Sequence, residues 1–359
     1  MSMGGFIKRT IYWTRDFFHG RAVRKHFVEI KHILRNFDKG QILQQKKLNS
    51  LLNHATTHSA FYKEYQGKTL KEFPVVNKLV LNENHASVAV SWENIPGQKT
   101  KNIHVQKTSG STGTPFAVFQ DTEKRNRRVA ELKYFGEDVG FKSHEKLGQC
   151  RIWTKWQSKS KSQAFWENII PINISKVNDE SLKELCATVK KHKIVSLRAY
   201  ASWYDEMLKW FESGKGDPSD FKTVKVAISS SEALNEQTRI GMKKITGVPI
   251  VECYADEEAG ILAQQKLNDN NYYLNHAGYI FEFLKLECDE PAEYGELARI
   301  VITDLHNYAF PLIRYDTGDT GILCCGKNNS MSHGWDYMSK LYGRRLDLVY
   351  DIGGGLSIP

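Results

Sequence analysis

Several features are scarce in this 359-residue chain, and each absence excludes a class of protein. No uncharged apolar run approaches the roughly 18 residues that a membrane-spanning helix needs, which argues against an integral membrane protein. The first residues lack the apolar core and small-residue cleavage site of a secretory signal. Six cysteines without a CxxC pair are too few for a disulfide framework, so we expect a reducing, cytoplasmic setting. Cys324 and Cys325 are adjacent and follow an apolar stretch, and we expect buried structural thiols there rather than a metal site.

Positive charge is present in excess but is not concentrated in one tail. The chain carries 50 Lys and Arg against 41 Asp and Glu, a net charge of +9. Such a charge suits nucleic acid, an anionic membrane surface or phosphorylated small molecules as partners. The densest basic stretches, residues 8–25 and 155–161, match no zinc finger, helix-turn-helix or RNA-recognition signature. We therefore expect no nucleic-acid partner.

The first 65 residues are predicted to be helical. Apolar residues recur near helical spacing at the start and are flanked by basic residues: Ile7, Ile11, Trp13 and Phe17, with Lys8, Arg9, Arg15 and Arg21. A basic amphipathic helix of this kind can lie on a membrane. The alternative, which we favour, is a helix that packs its aromatic face on the body of the protein.

From residue 102 onward the pattern predicts strands alternating with helices. Expected strands cover residues 103–105, 116–119, 194–197, 224–229 and 248–253, and expected helices cover 121–137, 181–192 and 235–246. The apolar, β-branched run at 224–229 is typical of a buried parallel strand. This rhythm predicts an α/β fold with helix-covered, mostly parallel sheets. The alternation from 272 to 323 predicts a smaller, more antiparallel layer.

The segment TSGSTGTP at residues 108–115 is the sharpest local signal of a binding site. Its glycines let the backbone approach an anion, and its hydroxyls and consecutive N–H groups can surround phosphate oxygens. It is not a Walker loop, because Lys and Ser/Thr do not follow the final glycine. A flexible linker is the alternative, which the flanking strands disfavour. The candidate nucleotide ligands are Thr108, Ser109, Gly110, Ser111, Thr112, Gly113 and Thr114.

Several motifs, in order along most of the chain, resemble one family. TSGSTGTP resembles the phosphate loop of the adenylate-forming superfamily of acyl-CoA synthetases. The chain is most similar to the phenylacetate–CoA ligase family, including its capsule-biosynthesis, CapK-like branch. The other matching segments are LLNHATTHSAFYK at 51–63, FPVVNK at 73–78, SSE at 230–232, YADEEAG at 254–260, FPLIRYDTGD at 310–319 and the hinge-like signature at 343–359.

The resemblance implies a fold and a reaction. The expected fold is the large N-terminal domain of these enzymes, an α/β domain with a smaller β-rich subdomain, without the C-terminal lid domain. The implied organisation is a helical leader at 1–100, a core at 101–342 that includes the β-rich part at about 272–342, and a hinge at 343–359. The implied reaction joins a small carboxylic acid to ATP, releases pyrophosphate, and passes the acyl group to coenzyme A. A homodimer is compatible with the resemblance.

The resemblance also assigns roles to single residues. Glu258 would hold Mg²⁺, a hard cation that prefers carboxylate and phosphate oxygens; a surface acid is the alternative. Tyr254 would cover the adenine, or pack in the core. Asp319 would accept hydrogen bonds from the ribose, or cap a turn. Arg345 would reach phosphate or ribose oxygens through its planar fork.

Two further positions complete the expected site. Glu232 would lie beside the nucleotide, and Thr112 joins Glu258 and Arg345 as an implied catalytic residue. Glu257 would also lie at the nucleotide, although the family usually has Thr at its position. A second carboxylate adds repulsion against a polyphosphate unless a cation compensates, which puts a normal catalytic rate in doubt.

Two alternatives to transfer to coenzyme A stay open. The acyl acceptor could be a sugar or polymer precursor, as the capsule branch suggests, which would place the chain in polysaccharide biosynthesis. The chain could instead be a non-catalytic nucleotide-binding homologue, since Glu257 departs from the family and the lysine of the lid domain is absent. A fragment of a longer enzyme is the explanation that we favour for that absence.

Overall fold

The computed structural model describes residues 3–107, 116–153, 159–344, 349–350 and 356–357. Its residues form two compact units that interleave along the chain. The first unit comprises Met1–Arg24, Leu132–Tyr254 and Gln264–Asn270, and the second comprises Lys25–Glu131, Ala255–Ala263 and Asn271–Pro359. These units are defined by packing, and the predicted boundaries near residues 100, 272 and 343 stay a prediction.

Helices and strands alternate over most of the chain, as expected for an α/β fold. The helices are α1 (Met3–Phe18), α2 (Ala22–Arg35), α3 (Phe37–His58), α4 (Lys78–Glu83), α5 (His85–Val88), α6 (Thr122–Asp138), α7 (Lys161–Glu167), α8 (Asp179–His192), α9 (Ala201–Glu212) and α10 (Glu236–Thr246). The strands are β1 (His104–Lys107), β2 (Ala117–Gln120), β3 (Leu147–Arg151), β4 (Ile169–Asn173), β5 (Ser196–Tyr200), β6 (Val226–Ser230), β7 (Ile250–Asp256), β8 (Gly260–Lys266), β9 (Asp269–Leu274), β10 (Tyr279–Leu284), β11 (Leu297–Asp304), β12 (Tyr315–Cys324), β13 (Tyr337–Arg344), β14 (Val349–Tyr350) and β15 (Leu356–Ser357).

The first unit is built on a parallel sheet. Its strands follow the order β4-β3-β5-β6-β7, and each described pair among them is parallel. The run of β6 is buried over Val226–Ile228, as its β-branched sequence predicts. Helix α10 ends at Gly247, whose φ of +74° is the left-handed conformation that glycine adopts without strain. Helices α8 and α9 contribute Leu182 and Met207 to one apolar core with the sheet.

The second unit is dominated by antiparallel strands. Strands β10, β11, β12, β13 and β9 pair in that order, which confirms the prediction for residues 272–323. A separate antiparallel pair, β1 with β2, runs from His104 opposite Gln120 to Lys107 opposite Ala117. Residues 107 and 117, which flank the TSGSTGTP segment in the sequence, are thus register partners.

Three expectations for local structure need correction. Cys324 and Cys325 are half-buried rather than buried. The aromatic face of α1 packs on the first unit only through Tyr12 and Trp13, whereas Phe17 is exposed. The expected strand at 248–253 begins two residues later and runs on to Asp256. Among the described residues, no helix is both long and apolar enough to cross a membrane.

Candidate active site

The predicted site residues divide between the two units. Glu257, Glu258 and Asp319 belong to the second unit, and Glu232 and Tyr254 to the first. Residues 108–114, which include Thr112, and Arg345 lie outside the described residues, so the structure describes only their flanks. The described part of the expected site is therefore the acidic turn that follows β7, together with the segments of the second unit that surround this turn.

A short turn between β7 and β8 holds Glu258. One carboxylate oxygen of Asp256, Oδ1, accepts hydrogen bonds from the backbone N–H groups of Ala259 at 2.6 Å and Gly260 at 3.3 Å. The Glu258 carbonyl oxygen accepts a bond from Nε2 of Gln120, at the end of β2, at 3.2 Å. These bonds fix the turn against the β1–β2 pair, and they leave the Glu258 side chain buried.

Lys78 faces Glu258 across this turn. Its Nζ lies 3.9 Å from Glu258 Oε1 and 6.0 Å from the ring centroid of Phe116, which directly follows the TSGSTGTP segment. Lys78 is the first residue of α4, where the Asn77 side chain accepts a hydrogen bond from Val80 N–H and caps the helix. Sequence reasoning missed Lys78 as a site residue. The FPVVNK segment, which ends in Lys78, was the available signal, but it indicated only the family and no role for the lysine.

Two of the matching motifs lie side by side in the second unit. Val76, within FPVVNK, forms a parallel bridge with Tyr315, within FPLIRYDTGD. The Val76 N–H donates to the Arg314 carbonyl at 3.0 Å, and the Asp316 N–H donates to the Val76 carbonyl at 2.8 Å. This pairing fixes the start of α4, and with it Lys78, relative to the Thr-Gly-Asp turn of β12.

Asp319 belongs to that turn. Gly318 has a φ of +81° and donates its N–H to Asp316 Oδ1 at 2.9 Å, and Asp319 N–H donates to Thr317 Oγ1 at 3.2 Å. Asp319 is the register partner of Arg344, the last residue of β13. The chain segment that leads to Arg345 is thus paired with Asp319.

Negative charge at this turn is only partly compensated. Burial raises the pKa of the Asp256 carboxyl, and the neighbouring Glu258 raises it further. Burial also raises the pKa of Glu258, the Glu257 and Asp319 carboxylates add to the rise, and a backbone hydrogen bond and Lys78 oppose it. Asp256 Oδ2 is buried and has no hydrogen-bond partner among the described residues. This set of hard oxygen donors around an excess of negative charge fits Mg²⁺.

Glu257 is exposed, in contrast to Glu258. Its Oε2 accepts a hydrogen bond from Nε2 of Gln106, in β1, at 2.6 Å, and its carbonyl accepts one from Nη1 of Arg128 at 2.9 Å. The carboxylate is therefore tied to the strand that enters the TSGSTGTP segment. Among the described residues, the hydrogen-bond partner of this carboxylate is an amide rather than a cation. The repulsion that we expect between Glu257 and a polyphosphate is therefore only partly offset.

The first unit places Glu232 and Tyr254 in ordinary structural surroundings. Glu232 Oε2 accepts the N–H of Ser202, in the first turn of α9, at 2.9 Å, after Ser231 adopts a φ of +76°. Tyr254 is buried in β7. The burial of Tyr254 fits its structural alternative, a core tyrosine, and the nucleotide roles of both residues stay predictions.

A second set of residues in the second unit has the spacing of a metal site. Ligand atoms of His26, Glu29 and His306 lie within 4.8 Å of one another. However, Glu29 is already paired with Arg127 at 2.7 Å and with Lys47 at 3.1 Å. Burial, and then these two cations, lower the pKa of His306. A positive environment of this kind disfavours a cation, so the set is structural.

Comparison with known proteins gives one sequence relative and many structural ones. No family model matches the chain. It is 23% identical over 317 residues to Protein CapK of Staphylococcus aureus, a match that covers 85% of this chain and 67% of that protein.

Solved structures match it more broadly. A 2-hydroxyisobutyryl-CoA ligase in its postadenylation state gives a TM-score of 0.72 at 16% identity, over 91% of this chain and 72% of that one. An anthranilate CoA ligase in complex with anthranoyl-AMP gives 0.52 at 16% identity, over 73% and 51%. These likenesses confirm the predicted fold class: over most of its length, the chain has the α/β fold of the CoA ligases that it matches.

Proposed function

We propose that the chain is the nucleotide-binding part of an AMP-forming acid–thiol ligase. It would adenylate a small carboxylic acid with ATP and pass the acyl group to coenzyme A. The observation that carries this proposal is the buried Glu258, which faces Lys78 beside the β1–β2 pair that flanks TSGSTGTP in the sequence, within an adenylate-forming fold.

The chain's own groups would bind and orient the nucleotide. The paired strands β1 and β2 flank the TSGSTGTP segment in the sequence, and the backbone N–H groups of that segment would donate to phosphate oxygens. The Lys78 ammonium, close to Phe116, adds positive charge at the end of that segment. Glu258 would hold Mg²⁺, which when bound neutralises charge on the leaving pyrophosphate.

The remaining assignments rest on the motifs. The Asp319 carboxylate would accept hydrogen bonds from the ribose, and Arg345, which follows its register partner Arg344, would reach the phosphate side. The motifs would also put Glu232 beside the nucleotide and Tyr254 over the adenine. A homodimer and a cytoplasmic location stay predictions from the resemblance and from the cysteine content.

A second candidate function keeps adenylation and changes the acyl acceptor. The resemblance to the capsule-biosynthesis branch motivates it, and the similarity to Protein CapK over 85% of the chain supports that resemblance. The acceptor would then be a sugar or a polymer precursor in capsular polysaccharide biosynthesis. An acceptor assay that offers coenzyme A or nucleotide-activated sugars to the preformed acyl-adenylate separates the two functions.

The test is carboxylate-dependent exchange of labelled pyrophosphate into ATP, with a panel of aryl and aliphatic acids. We expect exchange with one class of acid, and a loss of roughly 100-fold in the Glu258→Gln variant, the size of effect that removal of one transition-state charge contact has in enzymes. Glu83→Gln, at the exposed end of α4, is the matched control and should keep the wild-type rate. Measurable Mg-ATP binding without exchange for any acid would overturn the proposal in favour of a non-catalytic nucleotide-binding homologue.

A further inference from the structure

Helix α1 in the first unit turns its apolar residues outward. The exposed side carries Phe6, Ile7 and Ile11 along the helix and ends with Phe17 and Phe18. Phe6 is 58% exposed and Phe18 78% exposed. A surface helix of a globular protein normally buries such a stripe. Arg15 is the one charged residue on this side, and it lies at the edge of the apolar stripe.

Three charged residues of α1 make contacts within the first unit instead. Lys8 Nζ donates to the Phe165 carbonyl at 2.6 Å and to Asn168 Oδ1 at 3.3 Å. Arg9 forms an ion pair with Glu137 at 2.5 Å. Asp16 is buried and accepts the N–H groups of Val23 at 2.8 Å and Arg24 at 3.0 Å, at the start of α2. These contacts fix the rotation of the helix about its axis, and this rotation places the apolar side of the helix in solvent.

A second segment extends this apolar surface. The Lys8 ammonium lies 3.8 Å from the ring centroid of Phe165, in α7. Phe165 is 60% exposed and its neighbour Trp166 is 45% exposed. Lys8 thus joins α1 to a second pair of exposed aromatic side chains some 150 residues further along the sequence. We define the apolar patch as Phe6, Ile7, Phe17, Phe18, Phe165 and Trp166. Patches of this kind mark interaction sites.

The border of the apolar patch is positively charged. Arg15 and Arg21 are exposed, and the Arg21 guanidinium lies 4.7 Å from the Phe17 ring. Lys161 is exposed at the start of α7, and the exposed Glu167 at the end of that helix is paired with Lys159 at 2.6 Å. The one acid within α1, Asp16, is buried. A second copy of this chain would bring these cations against one another, whereas an anionic lipid surface complements them.

We propose that α1 and the adjoining end of α7 bind an anionic lipid bilayer, with α1 lying in the plane of the interface. Phenylalanine and tryptophan on the inserted face, with cations beside it, are the composition of interfacial helices. The surface attaches the protein to a membrane without crossing it.

The test is co-sedimentation of the full chain with vesicles of phosphatidylglycerol and phosphatidylcholine (3:7), and with pure phosphatidylcholine. We expect binding to the anionic vesicles that weakens at high salt, and little binding to the neutral ones. F6S/F17S/F18S should lower the bound fraction at least tenfold. I240S/V177S, which removes two exposed apolar side chains elsewhere in the first unit, should bind like the wild type.

Two further measurements keep the test decisive. Thermal unfolding shows that the triple variant is folded, and R15Q/R21Q, which keeps every apolar side chain, should lower binding and flatten its salt dependence. No binding to anionic vesicles at low salt would overturn the proposal. So would sedimentation velocity that shows a dimer in the wild type and a monomer in the triple variant, because the patch would then be covered by a second copy.

Discussion

One buried glutamate in each unit can be compared by how closely a cation compensates its charge. In the first unit, the negative charge of the buried Glu252 is closely compensated. Arg239 Nη2 lies 2.5 Å from one carboxylate oxygen, and the Leu234 N–H donates to the other at 3.0 Å. In the second unit, Glu258 is as well buried, and Lys78 lies 3.9 Å away. Under the proposed function, the contrast separates an acid that holds the fold together from one that is kept available for a ligand.

The incomplete compensation of charge at Glu258 is not general in the second unit. The buried Asp121 accepts backbone N–H groups, and two pairs of buried charges lie close together: Lys124 with Asp304 at 2.5 Å and Arg127 with Glu131 at 3.2 Å. A unit that neutralises these charges leaves the acids after β7 partly uncompensated. Uncompensated charge costs stability, so we infer that binding is the reason for it.

The largest expected effect is a difference in the free energy of unfolding between variants of Glu252 and Glu258. Glu252→Gln should lower the free energy of unfolding by about 3–5 kcal/mol, because it removes the buried charge partner of the half-buried Arg239 and leaves only the exposed one, Glu236. Glu258→Gln should leave it unchanged or raise it, because it removes a poorly compensated charge. Urea unfolding measures both. Glu236→Gln, at the exposed partner of Arg239, should cost under about 1 kcal/mol. Equal losses at Glu252 and Glu258 would erase the distinction.

The next effect concerns pH and a buried histidine of the second unit. Burial lowers the pKa of His276 to about 4, while the unfolded chain keeps it near 6.5. The unfolded state therefore binds the proton first as pH falls, and stability should drop by about 2 kcal/mol between pH 7 and pH 5. Unfolding of wild type and His276→Gln at both pH values measures this. A variant with the same pH dependence as the wild type would exclude His276 as the source.

The smallest effect tests the cation that sequence reasoning missed. Lys78→Met should raise KM for Mg-ATP and lower the exchange rate about tenfold in total, through loss of one charge contact to phosphate. Lys78→Arg should recover part of the loss. Lys71→Met, an exposed lysine before α4, is the control and should behave like the wild type. Unchanged kinetics in Lys78→Met would limit Lys78 to a structural role.

Much of the fold was predictable because local patterns agree with it. The β-branched run of β6, the glycine that ends α10 and the alternation after residue 272 each predict the observed element. The ordered motifs predicted the architecture. Lys78 was hidden because its role depends on the bridge between Val76 and Tyr315, which only folding brings together.

The rotation of α1 was not predictable from its sequence. Its apolar spacing favours burial, and the outcome is decided by charge partners far along the chain, Glu137 and Asn168. Similarly, the sequence presents Asp256, Glu257 and Glu258 as one acidic run. Only the fold separates an exposed Glu257 from a buried Glu258.

The most direct test of the central claim is the Mg²⁺ dependence of ATP binding, measured by titration calorimetry. In the wild type, we predict that Mg²⁺ strengthens ATP binding, and that this gain disappears in Glu258→Gln but persists in Glu83→Gln. If Glu258→Gln keeps the full gain from Mg²⁺, the carboxylate does not hold the ion, and the buried acid after β7 is not the metal-binding group of this site.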